Sequence, residues 1–213
     1  MIDKKNQISF VNMFEYNDCV PLKSSSVSEI SLQTSKKFCS KYHYAGKRFP
    51  TGAMFNYGIY RGGVLKGVCV LGAPASPFVS VSATGEKNMV IELQRLALSE
   101  NIKNEGTFFL SRVWRMLEKK YKGIVVSYAD TAHNHHGGVY QAFGFYYAGC
   151  SSPRTDIFSE SGHSRHHCGD INKRINRTPK HRYWLSCPRG KFDKLSKWGA
   201  MGYPKPDVAE VLR

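Results

Sequence analysis

Apolar and polar positions fall into short blocks whose spacing switches between two residues and three or four. Alternation over two residues reads as a half-buried strand, and spacing of three or four reads as a helix with one apolar face. Ser26-Val27-Ser28-Glu29 has the form of a capping box and predicts a helix running to about Lys41, with Ile30 and Phe38 on its buried stripe. A break rich in functional groups follows, Lys41 to Pro50. Phe55–Tyr60 and Val64–Leu71 are β-branched and aromatic runs joined by Arg61-Gly62-Gly63, a hairpin signal. Met89–Leu98 alternates as a strand, with Glu92 and Gln94 on one face and Arg95 opposite. After a loop, Gly106–Lys120 carries Phe109, Leu110, Val113, Met116 and Leu117 at helical spacing. Ile124–Ala129 is a continuous apolar strand of the mid-sheet kind, ending at Asp130. A short helix, Gly137–Phe143, and a strand, Phe145–Gly149, follow. Residues 151–180 read as a loop, and Lys180–Ser186 as one more strand.

This order predicts an α/β domain over residues 1–150 and a basic extension over 151–213, whose strand at about 180–186 completes the domain. Removing the chain after about Pro188 is then expected to leave a folded domain. The 213 residues are 41% hydrophobic, too many for a disordered chain. No apolar run reaches the ~20 residues that span a bilayer, and the N-terminus has no signal-peptide pattern, so the expectation is a protein of the (host bacterial) cytoplasm. The six cysteines are scattered singly, as reduced, buried thiols are. The oligomeric state stays open, a homodimer being one option.

Charge adds a partner. Lys and Arg number 31 against 16 Asp and Glu, a net +15. Residues 151–213 are the denser part, 13 basic to 6 acidic. Such an excess attracts polyanions, and double-stranded DNA is the expected partner. Arg165, Lys173, Arg174, Arg177, Lys180 and Arg182 are the candidate phosphate contacts.

The chemistry concentrates at the end of the central strand. Asp130 stands at the carboxyl edge of the sheet, where open α/β sheets bind ligands. Val139-Tyr140-Gln141-Ala142-Phe143-Gly144-Phe145 resembles the helix–strand signature of the GNAT superfamily of N-acyltransferases. Lys41-Tyr42-His43-Tyr44-Ala45-Gly46-Lys47, Glu92-Leu93-Gln94-Arg95, Ser127-Tyr128-Ala129-Asp130 and Lys180-His181-Arg182-Tyr183-Trp184 complete a pattern similar to the Mom family, a bacteriophage branch of that superfamily. The resemblance implies a GNAT-like mixed central sheet with flanking helices, Met89–Leu98 and Ile124–Ala129 being its splayed strand pair. It also implies conversion of the adenine N6 amino group in DNA to a carbamoylmethylamino group, an anti-restriction modification. The family's functional residues map onto His43, Tyr44, Asp130 and Tyr140. Tyr42, Lys47, Arg48, Glu92, Arg95 and Ser127 are candidate substrate contacts.

The residue types suit that chemistry. The adenine amine is a weak nucleophile and needs a base, for which His43 and Asp130 are both candidates. Tyr140 can donate to a developing oxyanion or a leaving thiolate. The base must leave the stack, and Tyr42 and Tyr44 can receive its face. Plainer roles exist for each: Asp130 as a helix cap, Tyr140 as packing, Glu92 and Arg95 as an ion pair. The superfamily implies acetyl-CoA or a related acyl donor, yet the stretch Ser99–Thr107 has one glycine and two acids in place of a glycine-rich pyrophosphate loop. Iron is a further candidate cofactor at His43, Asp130 and Tyr140. His163, His166, His167 and Cys168 are zinc-competent types without paired spacing. Two rival functions remain: an acyl-CoA-dependent N-acyltransferase acting on a protein or small-molecule amine, and a non-catalytic DNA-binding protein.

Overall fold

A computed structural model describes residues 21–46, 48–100, 102–158 and 170–205. Lys47, Arg165 and the His163–Cys168 group lie outside the described residues. Seven strands follow the order β1-β2-β3-β4-β5-β9-β6 in a mixed sheet with flanking helices, and β7 and β8 form a separate two-stranded sheet. The chain divides into two compact units, residues 1–75 with 93–121 and residues 76–92 with 122–213.

In the first unit, β1 (Ser26–Glu29), β2 (Ala53–Arg61) and β3 (Val64–Gly72) form an antiparallel meander. Gly62 and Gly63 take φ of +57° and +77° at the hairpin turn, a conformation that costs a side chain about 1 kcal/mol or more. The capping-box expectation is corrected here. Ser26–Glu29 pairs with Tyr57–Tyr60 as an edge strand, and helix α1 starts at Leu32 (Leu32–Tyr42). Its cap is Ser31, whose Oγ accepts from Thr34 N at 3.0 Å. Ser-Val-Ser suits an edge strand equally well, and the ladder to β2 outweighs one local cap worth ~1 kcal/mol. α1 packs Phe38 and Cys39 onto Val68 and Ala97. Helix α3 (Glu105–Leu117) buries Phe109, Leu110, Val113, Trp114 and Leu117 and lies against β1 and β2.

Strand β4 (Val90–Leu98) belongs to both units. Before its first residue, the Met89 carbonyl accepts from Ile124 N–H of β5 (Gly123–Asp130); after its last, Ser99 N–H donates to Lys66 O of β3.

In the second unit, β9 (Lys180–Cys187) inserts between β5 and β6 (Tyr146–Cys150), antiparallel to both. The late strand therefore stands where its Tyr183-Trp184-Leu185 run predicts. Short helix α4 (Gly138–Phe143) connects β5 to β6. Helix α2 (Phe78–Thr84) was not read from the sequence: Phe-Val-Ser-Val-Ser-Ala-Thr is poor in helix formers, although Pro77 before it and Gly85 after it, at φ +83°, are boundary signals. The expected loop at 151–180 is corrected too. It contains β7 (Arg154–Phe158) and β8 (Asp170–Arg177), whose β propensity is masked by charged residues.

The tail lies against the second unit. Phe192, Leu195 and Trp198 pack against the cluster of Ala83, Val90, Ile124, Val126, Ala148 and Trp184. Lys197 N donates to Ala83 O, Trp184 Nε1 to Gly199 O, and Met201 N to Tyr147 O. Three half-buried side chains beyond Pro188 thus pack against the second unit's core.

Candidate active site

The first unit presents the residues around His43. α1 ends at Tyr42, and His43 N–H closes the helix on Cys39 O. Ala45 N–H donates to His43 Nδ1 at 3.0 Å, so the neutral ring carries its proton on Nε2. In this geometry His43 offers an N–H at Nε2, the opposite of the base role considered from sequence. The Tyr44 ring lies 4.3 Å from the His43 ring and is 52% exposed. Tyr42 stacks on Phe38 at 4.6 Å, with Lys41 Nζ 4.9 Å from its ring centre. Arg95 reaches back from β4, donating to Arg48 O at 2.9 Å and to Gln94 O at 2.6 Å. Arg48 and Arg95 are therefore brought together, and the Arg95 fork orders the backbone just after the His43 turn.

The first unit also holds the N-terminus of α3, the place where acyl-CoA-binding relatives of the resembled fold would set a pyrophosphate. Glu105, the first residue of α3, is fully buried and bonds Arg61 Nη1 through Oε1 at 2.8 Å. Glu100 pairs with Arg61 and with Lys66 Nζ. The second Glu105 oxygen is buried without a hydrogen-bond partner. Burial pushes the Glu105 carboxyl up and Arg61 pulls it down, with the net effect upward. Breaking such a buried pair costs about 3–5 kcal/mol. The helix terminus is supplied with the chain's own carboxylates and does not fit a pyrophosphate.

In the second unit, partners across antiparallel strands share a face and alternate residues change face. Ser127 and Tyr183, Ala129 and His181, and Tyr147 and Tyr183 are partners. They lie on the face that α4 covers. Tyr128 and Arg182, Val126 and Trp184, and Asp130 and Lys180 are partners on the other face.

On the α4 face, Tyr140 sets its ring 5.5 Å from both Tyr183 and Phe145. The Tyr183 hydroxyl donates to His136 O and accepts from Gln141 Nε2 at 3.1 Å; that amide also donates to His136 O. Gly137 permits this approach: at φ +70°, a Cβ there would stand 2.5 Å from the Tyr183 ring. Tyr147 Oη and His181 Nδ1 are hydrogen-bonded at 2.9 Å, and the His181 ring lies 5.7 Å from that of His136. Burial raises the Tyr183 phenol to about 12 and depresses the His181 imidazolium, the neighbouring His136 adding to the latter. His136 Nδ1 is itself buried without a hydrogen-bond partner.

At the strand end, Asp130 caps the turn Thr131–His133 through Ala132 N–H at 3.1 Å. It also accepts from the Thr178 hydroxyl at 2.8 Å and faces Lys180 Nζ at 3.2 Å. Burial alone would raise its carboxyl, but Thr178, Ala132 and Lys180 together hold it below the usual value. An ionised, three-partnered carboxylate is a structural anchor and an electrostatic fixture more than a proton acceptor at neutral pH.

The sequence-derived residues thus form groups: Tyr42, His43 and Tyr44 with Arg48 and Arg95 nearby in one unit, and Ser127 with Tyr140 across the Tyr183 ring in the other. Asp130 and Tyr140 fall on opposite faces of the second unit's sheet. Glu92 is half-buried in β4. Gln141, His136, Tyr147, His181 and Tyr183 were missed as site residues. The signal was the Lys180–Trp184 motif, which alternates His181 and Tyr183 onto one face. Iron at His43, Asp130 and Tyr140 finds no support. Among the described residues no group of three or more His, Cys, Asp or Glu gathers, and Lys180 already neutralises Asp130. Among the described residues Cys39, Cys69, Cys150 and Cys187 are free thiols, and burial raises Cys39 to about 11, making it a poor nucleophile.

Of the basic residues expected on DNA, Lys173 and Arg174 are exposed on β8. Arg177 is bonded to Asp156 Oδ2 at 2.7 Å, Lys180 to Asp130, and Arg182 lies over the Trp198 ring at 5.3 Å.

The architecture is that of an α/β protein with a mixed sheet flanked by helices. The Escherichia coli ribosomal-protein-S18-alanine N-acetyltransferase is similar at 10% identity and a TM-score of 0.46, over 76% of this chain and 94% of that one. The IAA acetyltransferase of Bacillus cereus is similar at 15% identity and 0.45, over 76% and 99%. A GNAT family acetyltransferase from Elizabethkingia anophelis, solved with acetyl-CoA bound, is similar at 15% identity and 0.41, over 76% and 97%. Comparison with curated proteins gives no match. Residues 24–197 match the Mom protein family, and the chain belongs to that family.

Proposed function

We propose that this protein is a phage-encoded transferase that converts the adenine N6 amino group in double-stranded DNA to a carbamoylmethylamino group, protecting the DNA from restriction. The single observation that carries the reading is membership of the Mom family over residues 24–197, and the net charge of +15 agrees with a DNA substrate. In this reading the flipped base stacks on Tyr42 or Tyr44, both exposed aromatics beside His43. Forming the N6–carbon bond releases one proton from the amine, which passes to water, while His43, with its proton on Nε2, donates a hydrogen bond to the base or to the incoming group. Tyr140, held against Tyr183 and Phe145, supplies a phenolic proton to a developing negative charge. Asp130 fixes the strand end and contributes a constant negative charge. The product is joined through an alkyl carbon, so acyl transfer alone does not finish it.

The test is direct. The protein is expressed in a bacterium, the host DNA is digested to nucleosides, and deoxyadenosine is examined by mass spectrometry. A nucleoside heavier by one carbamoylmethyl group is expected, and it should drop at least ten-fold in Tyr140→Phe while the melting temperature stays put. Unmodified deoxyadenosine from well-expressed, folded protein would remove this reading.

A further inference from the structure

Among the described residues between β6 and β9, β7 and β8 form a two-stranded ribbon. Arg154 pairs with Arg177, Thr155 with Asn176, Asp156 with Ile175 and Ile157 with Arg174. Alternation sorts these side chains onto two faces. One face carries Asp156, Ile175 and Arg177, all half-buried, and is closed by the Arg177–Asp156 ion pair. The other carries Thr155, Arg174 and Asn176, all exposed, with Ile157 half-buried beside them. Arg174 Nη1 and Thr155 Oγ1, 3.3 Å apart across the ladder, confirm the shared face.

That exposed face is a set of base-reading groups. Arginine pairs bidentately with guanine N7 and O6, asparagine with adenine N6 and N7, and threonine meets either an edge acceptor or a thymine methyl. The major groove, about 12 Å wide, admits a two-stranded ribbon. Exposed Lys173 lies next to Arg174 and suits phosphate.

The ribbon is firmly mounted. The Thr178 hydroxyl donates to Asp130, Thr131 Oγ1 donates to Pro179 O at 2.7 Å, and Ser151 and Lys180 exchange two hydrogen bonds of 2.9 Å. Its base therefore stands at the end of β5, against the turn that leads to α4 and Tyr140.

We infer that the β7–β8 ribbon enters the major groove of duplex DNA and reads bases flanking the modified adenine through Arg174, Asn176 and Thr155. The inference rests on the proposed action on DNA and adds to it the element that selects sequence. Nothing in a modification chemistry requires such a face, since phosphate contacts alone would hold a duplex without choosing among sequences.

The experiment uses the full chain and a pool of duplexes with a randomised segment, bound and then sequenced. Wild-type protein is expected to enrich a short motif containing guanine and adenine, and to protect guanine N7 in it from dimethyl sulfate. Arg174→Ala and Asn176→Ala should each lose roughly ten-fold in preference at one position and bind scrambled duplex almost as well as before. Arg174→Ala should also lose the N7 protection, and both variants should melt as wild type because the side chains are exposed. Lys173→Ala should weaken all sequences alike. The inference is overturned if the two ribbon variants enrich the same motif with unchanged affinity, or if wild type modifies adenine yet enriches no motif. Absence of any adenine modification would instead sink the underlying reading, so the two failures are distinguishable.

Discussion

At the scale of single residues, the candidate site is governed by which lone pairs are already taken. His43 spends Nδ1 on Ala45, and Asp130 spends its oxygens on Ala132, Thr178 and Lys180. Sequence could nominate both as bases because it shows residue types and not their partners. One histidine whose titration the surroundings visibly perturb is His181, its imidazolium disfavoured by burial and by His136, with Tyr147 hydrogen-bonded at its Nδ1. The sign of its linkage follows from the downward shift. Its stabilising contribution is complete above the ordinary histidine value of ~6.5 and is lost as pH falls through the lower folded value. Melting temperature should therefore fall between pH 7 and 5, before carboxylate protonation contributes. His181→Gln should start lower at pH 7.5, having a poorer fit to Tyr147, but decline less steeply. Parallel declines in the two proteins would show that His181 is not the titrating group.

At the scale of elements, the long apolar runs were legible: β2, β3, β4, β5, α3 and β9 all stand where periodicity places them. Their burial is set by their own side chains, which is what a sequence displays. What misled was local competition and charge. Ser26–Glu29 carries a cap signature that loses to a ladder with β2, and β7 and β8 hide their alternation under arginine and lysine. The face opposition of Asp130 and Tyr140 was illegible for a different reason, since it depends on the register with β9, a partner fifty residues away. The tail shows the same limit. Basic and glycine-containing, it reads as an appendage, yet Phe192, Leu195 and Trp198 sit on the second unit's core. Ending the chain at Pro188 should destabilise it by roughly 3–5 kcal/mol, because two half-buried aromatics and a leucine lose their packing at once. Urea unfolding of that truncated chain would read this directly, and a midpoint unchanged from the full chain would return the tail to the role of a solvated appendage.

At the scale of the whole molecule, the 31 lysines and arginines overstate the cations that DNA would meet. Arg61 is 3% exposed and bound to two glutamates; Arg177 and Lys180 are paired with Asp156 and Asp130. Cations spent in internal pairs release no counterions when the protein binds, because their field is already compensated. The logarithm of the binding constant should then fall with the logarithm of salt at a slope of roughly −4 to −7, corresponding to about five to eight phosphates and well short of the 31 basic side chains. The ribbon divides this slope in a defined way. Lys173→Ala should flatten it by about 1, as loss of one phosphate contact does, whereas Arg174→Ala should weaken binding to the preferred sequence and leave the slope on scrambled duplex nearly unchanged. Fluorescence anisotropy on a labelled duplex at increasing sodium chloride measures both. A flat response in the wild-type protein would exclude the phosphate backbone as its partner, and equal slope changes in the two variants would make Arg174 a second phosphate contact and not a reader of bases.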